Sequence, residues 1–207
     1  MAKEVFIECF VMVIALVGFV SSDSEKQLDV VISYETEHDP STFFFTKLLN
    51  RQLFDRLNKC GVIRWRFMPC TTSSMANGVL VCRGGDCQCA ADKIHACAAT
   101  LYKDNQEELG KFVMCYFASK NAKNCANSNG MCYDTIETCV KEKKGDKYCN
   151  DFFDIVINDW QTIFVPGIKF GSKYDKDVNY KATGDFKGVL CEKLKSNNLQ
   201  CDVCSCS

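Results

Sequence analysis

Residues 29–49 read DVVISYETEHDPSTFFFTKLL. Asp29 to Tyr34 is a β-branched run suited to a buried strand. Asp39-Pro40 then turns the chain, and Ser41 or Thr42 is expected to cap a helix reaching to about Asn58. Phe45, Leu49, Leu53 and Leu57 recur every fourth residue, flanked by Leu48 and Phe54, so that helix carries one apolar stripe. Gly61 ends it, and Val62 to Met68 alternates as a second strand. A strand, helix and strand in this order favour a parallel pair with a right-handed crossover, the start of an α/β fold.

Farther along, the pattern changes. Residues 70–149 hold ten cysteines among short helical stretches such as Ile94 to Leu101 and Tyr133 to Lys141. The segment from about 70 to 160 therefore reads as a helical insertion stapled by disulfides. Phe164 to Phe170 (FVPGIKF) returns to strand character, with Gly171-Ser172 expected as a hairpin turn. Asp185 to Leu194 is expected to form a last amphipathic helix through Phe186, Val189, Leu190 and Leu194. Residues 201–207 form a cysteine-rich tail.

At the other end, Cys9 to Val20 is an unbroken apolar run after Lys3, followed by Ser21-Ser22. Residues 1–22 are expected to be a secretory leader, because the run is too short to span a bilayer. Residues 23–200 would then be one domain. Removing Lys3, Glu4 and Glu8 from the 25 basic and 26 acidic side chains leaves 24 of each. Such balance argues against a nucleic-acid partner. Sixteen cysteines in a chain with a leader imply a disulfide framework and an extracellular destination. Fifteen remain once Cys9 is removed; an odd number leaves at least one thiol free, or joined to a second chain in a disulfide-linked dimer. The sequence has no N-x-S/T acceptor, so lysosomal sorting through N-linked sugars is not expected.

A more specific pattern lies in the middle. Cys82-Arg-Gly-Gly-Asp-Cys-Gln-Cys89, followed by Ala-Ala-Asp-Lys-Ile-His-Ala-Cys97, resembles the signature C-Q-H-G-x-x-E-C-x-x-N-x-x-x-x-C of the gamma-interferon-inducible lysosomal thiol reductase family. Cys82, Cys89 and Cys97 keep its cysteine spacing, and Gly85 its glycine. Arg83 and Gly84 replace Gln and His, and Asp92 stands for Asn. Val113-Met-Cys115, Asp134 to Cys139, Phe164-Val165-Pro166 and Val189-Leu-Cys191 look like further landmarks in the same order. The resemblance implies a thioredoxin-like α/β fold with a cis-proline at Pro166, and disulfide roles for Cys82, Cys89, Cys97, Cys115, Cys139 and Cys191.

It also exposes a departure. Family members carry C-x-x-C after the strand that ends Y-E-x-x, whereas here Tyr34-Glu35-Thr36-Glu37 is followed by His38-Asp39-Pro40-Ser41. Only a thiolate attacks a disulfide sulfur, and a second thiol resolves the mixed disulfide. With His38 and Ser41 in those places no catalytic residue of this chemistry remains. The surviving cleft would be lined by His38, Asp39, Pro40, Ser41, Val165 and Pro166. Among family members the chain resembles secreted arthropod forms, salivary ones of the mosquito type included, that lack the pair. That likeness implies an extracellular protein or peptide from a host or pathogen as partner, with no cofactor.

Other readings compete. His38, Asp39 and Ser41 are triad residue types, but on one turn they suit a helix start better than a nucleophile-base relay. Cys201-x-x-Cys204-x-Cys206 could be a relocated redox pair or half a zinc site, against ordinary disulfides. Cys87 is an extra cysteine, with Cys70 as a partner to consider. His38 and His95, the two histidines, read as surface residues rather than metal ligands.

Overall fold

The computed structural model describes residues 26–204; the expected leader and Cys206 lie outside them. Strand β1 (Leu28–Ser33) forms where the β-branched run predicted it. A first helical segment, α1 (Asp39–Phe43), widens into a π-turn over Phe44–Leu48, and α2 (Arg51–Asn58) follows. Strand β2 (Ile63–Met68) then returns parallel to β1, Val30 opposite Trp65 and Ile32 opposite Phe67.

The long helix expected up to Asn58 is therefore broken. The Leu49 N–H reaches back to the Phe44 carbonyl at 2.8 Å, and Asn50 caps α2 by accepting from the Leu53 N–H at 3.0 Å. Asn competes with the helix interior but suits its start, so the break falls where the sequence changes preference. The stripe still does its work, since Phe45, Leu49 and Leu57 are all buried.

The insertion begins with a small antiparallel ribbon, β3 (Ser74–Ala76) and β4 (Val79–Val81), which the sequence reading did not anticipate. Five helices follow: α3 (Asp86–Leu101), α4 (Gln106–Ser119), α5 (Ala122–Ser128), α6 (Tyr133–Lys141) and α7 (Lys144–Ile155), the last running into a π-turn over Val156–Trp160. Strand β5 (Gly167–Phe170) comes back antiparallel to β1, giving the sheet order β2-β1-β5. Helices α8 (Lys176–Ala182) and α9 (Phe186–Ser196) complete the thioredoxin-like α/β arrangement. No hairpin follows β5. Gly171, at φ +75°, makes the turn, and Asp175 then caps α8 through the N–H groups of Asp177 and Val178.

One face of the sheet, with Val30, Ile32, Trp65, Phe67 and Ile168, packs on Phe45, Phe54, Phe112, Phe117 and Phe186. Each large apolar side chain so withdrawn from water contributes roughly 1.5–3 kcal/mol. On the opposite face Val31 and Met68 meet Val156 and Trp160. Six disulfides lace the described residues: Cys60–Cys201, Cys70–Cys149, Cys82–Cys89, Cys97–Cys139, Cys115–Cys125 and Cys191–Cys204. Cys82, Cys89 and Cys97 of the signature, and Cys115, Cys139 and Cys191 of the further landmarks, are all bonded. Cys201 and Cys204 do not pair with each other, which removes the relocated C-x-x-C pair. Cys70 is bonded to Cys149 and not to Cys87; Cys87 and Cys132 are free and exposed. No helix of the described residues is long and apolar enough to cross a membrane.

Candidate functional site

The end of β1, the start of α1 and the start of β5 converge. His38 is the N-cap of α1 and Pro40 occupies its first turn, where a missing N–H costs nothing. Ser41 and Thr42 are thus inside the helix rather than at its cap, because the fixed φ of Pro40 lets the helix begin at Asp39. The His38 carbonyl accepts the first intrahelical bond, from the Thr42 N–H at 2.9 Å.

Val165-Pro166 is a cis peptide directly ahead of β5. Ser33 of β1 anchors it, accepting from the Gly167 N–H at 3.1 Å. Gly167 is required here, since a side chain would collide with Ser33 Oγ and the Trp160 ring.

His38, Asp39, Pro40, Val165 and Pro166 line one hollow of about 540 Å³ with Phe43, Phe44 and Phe164. Ser41 is not among them. It is fully buried, its Oγ accepting from the Glu35 N–H at 3.4 Å and sharing a 3.3 Å hydrogen bond with His38 Nδ1. A serine nucleophile would have to meet substrate, so burial rules out the triad reading of these residues. Burial, and then the nearby Arg83 charge, lower the His38 pKa and favour its neutral ring.

A second hollow, of about 380 Å³, adjoins the first through His38, Phe164 and Val165. Its floor holds a group that sequence reading missed. Glu35 and Asp92, both buried, face one another at the junction of β1 and α3. Asp92 accepts from the Thr36 N–H at 3.0 Å, the Thr36 hydroxyl at 2.6 Å, Gln88 Nε2 at 3.1 Å and the Ser73 hydroxyl at 3.4 Å. Glu35 accepts from the Thr72 N–H and from Gln88 Nε2. Burial first, and then the charge and shared hydrogen bond of Asp92, push the Glu35 carboxyl well above the usual carboxylate range. The cleft floor thus favours the protonated form of Glu35. The one available signal was the aspartate at 92, already conspicuous as a departure from the signature.

His95 is not a surface residue. It lies buried between Tyr34, Phe112 and Tyr116, its Nδ1 bonded to the Tyr34 hydroxyl at 3.0 Å. Among the described residues no group of three or more His, Cys, Asp or Glu side chains is placed to hold a metal ion.

Comparison with known proteins adds to this geometry. The family model for gamma interferon inducible lysosomal thiol reductase matches residues 29–143. The chain is similar to a gamma-interferon-inducible lysosomal thiol reductase-like protein of Anopheles gambiae, at 22% identity over 148 residues, 63% of this chain and 61% of that protein. It is also similar to GILT-like protein 1 of Drosophila melanogaster, at 23% identity over 195 residues, 84% of this chain and 77% of that protein. The match thus spans about three-fifths of the mosquito relative.

Proposed function

We propose that this chain, which belongs to the gamma interferon inducible lysosomal thiol reductase family, has given up dithiol catalysis and acts outside the cell by holding an extended segment of another protein in the retained cleft. The observation that carries this reading is the chemistry at the start of α1. The two positions where the family bears its redox cysteines are an imidazole, half-buried, and a hydroxyl, wholly buried and hydrogen-bonded. Neither group can form and resolve a mixed disulfide. What would hold a polypeptide next to that site is kept: the cis Val165-Pro166 bond, the anchored start of β5 and the aromatic hollow beside them. The expected destination follows from the leader and from the disulfide framework. A second route to reductase activity, through Cys201 and Cys204, is disfavoured because each sulfur is already bonded to a cysteine elsewhere.

The test is reduction of insulin with a dithiol as electron source, at acidic and neutral pH. The wild type should give no turnover above the dithiol alone, and the double substitution His38→Cys with Ser41→Cys should restore it. The half-exposed first sulfur would meet substrate and the buried second would resolve the intermediate. The native protein should meanwhile bind a reduced, carboxymethylated polypeptide, and Phe164→Glu should weaken that binding. Turnover by the wild type, or a folded double variant that stays inert, would overturn the reading.

A further inference from the structure

We infer that the cleft selects an extended segment carrying a large apolar side chain and an acidic side chain two positions apart, the first seated against Pro40, Phe43, Phe164 and Pro166, the second on Arg83. This rests on the binding role just proposed and specifies what is bound. The apolar half has an unusual surface. Phe43 is 54% exposed, Phe164 42% and neighbouring Ile163 60%, at the mouth of one cleft. Aromatic and aliphatic side chains gathered so openly mark an interaction surface rather than a finished one.

The polar half is governed by which charges are already answered. Glu37 is held by the Tyr116 hydroxyl at 2.9 Å and by Lys120 at 3.2 Å. Glu35 lies buried on the floor, where it accepts from Thr72 and Gln88 and interacts with Asp92. Arg83 has no ion-pair partner among the described residues, and it lines this hollow next to His38. It is the cation that a ligand would answer. Asp39, exposed on the rim of the apolar hollow, repels a carboxylate from that end and so fixes which end takes the acid. In an extended chain alternate side chains share a face, and the two hollows adjoin along one line of residues, His38, Phe164 and Val165, so one such face can address both.

The experiment uses the full oxidised protein and dye-labelled peptides, read by fluorescence anisotropy at low salt. The probes are Gly-Gly-Phe-Gly-Asp-Gly-Gly, the same peptide with Phe and Asp exchanged, and versions bearing Ala for Phe, Asn for Asp or Lys for Asp. At least one order of the Phe/Asp peptide should bind about threefold to fivefold more tightly than its Asn version, the range open to an exposed ion pair. Lys should bind worse than Asn, and Ala worse than all that keep Phe. Arg83→Gln should erase the difference between Asp and Asn, and Arg83→Glu should invert it in favour of Lys. Arg83 is exposed, so both variants should melt as the wild type does. If the Phe peptides bind equally whatever the charge, or if the preference survives Arg83→Glu, this inference fails while the binding role stands. If no peptide binds, apolar ones included, the binding role fails with it.

Discussion

His95 and Glu35 are buried titratable groups whose proton preferences pull in opposite directions. Burial first, and then the positive charge of Lys120, lower the His95 pKa to about 3. The unfolded chain takes up that proton near pH 6.5, so the native state is fully supported above 6.5 and loses stability as pH falls towards 3, by up to roughly 1.4 kcal/mol per pH unit. Glu35 has the reverse sign. The native carboxyl keeps its proton while the unfolded one gives it up near 4.5, so stability is lost as pH rises from there through the raised native value. Denaturant titrations across pH should therefore trace a dome. His95→Phe should flatten its acid side, at a pH-independent cost of about 1–3 kcal/mol for the stranded Tyr34 hydroxyl. Glu35→Gln, which needs no proton, should flatten the other side. A dome unchanged by either substitution would mean that these groups are not buried as described. Little of this was legible in the sequence. Asp92 stood out against the signature, but its facing Glu35 is distant along the chain, and pairing across a fold leaves no local trace. His95 read as a surface residue because its burial is made by Tyr34, just past β1, and by rings on α4, not by its own neighbours.

Between β1 and β2 the helical connection was legible in outline and misread in detail. Strand runs and a four-residue apolar repeat are local patterns, and both strands and their parallel pairing followed from them. The π-turn at Phe44–Leu48 was not foreseen, because the apolar repeat tolerates one extra residue and still buries Leu49 and Leu57. Asn50 was the overlooked marker. Asn50→Ala should cost about 1 kcal/mol by leaving the Leu53 N–H without its acceptor, a loss measurable by chemical denaturation, while Asn50→Asp should be close to neutral. The expected hairpin after β5 failed for a related reason. Gly171-Ser172 has turn chemistry, but Asp175 offers the stronger instruction, a side chain ready to cap a helix. Where a turn signal and a cap signal lie a few residues apart, the cap decided the outcome here.

Across the whole molecule the count of cysteines announced a framework, but not its connectivity, since three of the six bonds among the described residues join segments 42 to 141 residues apart that only the folded chain brings together. Cys70 illustrates this: a sulfur near in sequence, Cys87, seemed a fair partner, yet Cys70 is buried with Cys149 of α7 while Cys87 faces solvent in the first turn of α3. Iodoacetamide on the folded, unreduced protein should therefore label Cys87 and Cys132 and spare the twelve bonded cysteines, with peptide mass spectrometry as the readout. Cys132 should react faster than an ordinary exposed thiol, because hydrogen bonds from Thr135 lower its thiol pKa. Labelling of Cys201 or Cys204 would contradict the framework. The bond from Cys60 to Cys201 also sets a clock. Cys82–Cys89 and Cys115–Cys125 can close while the ribosome has advanced only 7 and 10 residues. Cys60 must instead wait for 141 further residues, roughly 7–28 s at about 5–20 residues per second. Throughout that interval its thiol is open to sulfurs that are not its own, Cys70 being the next along the chain. Native pairing of Cys60 is thus settled only after residue 201 has been made, so a nascent chain of this kind should fold in better yield where disulfides can be shuffled.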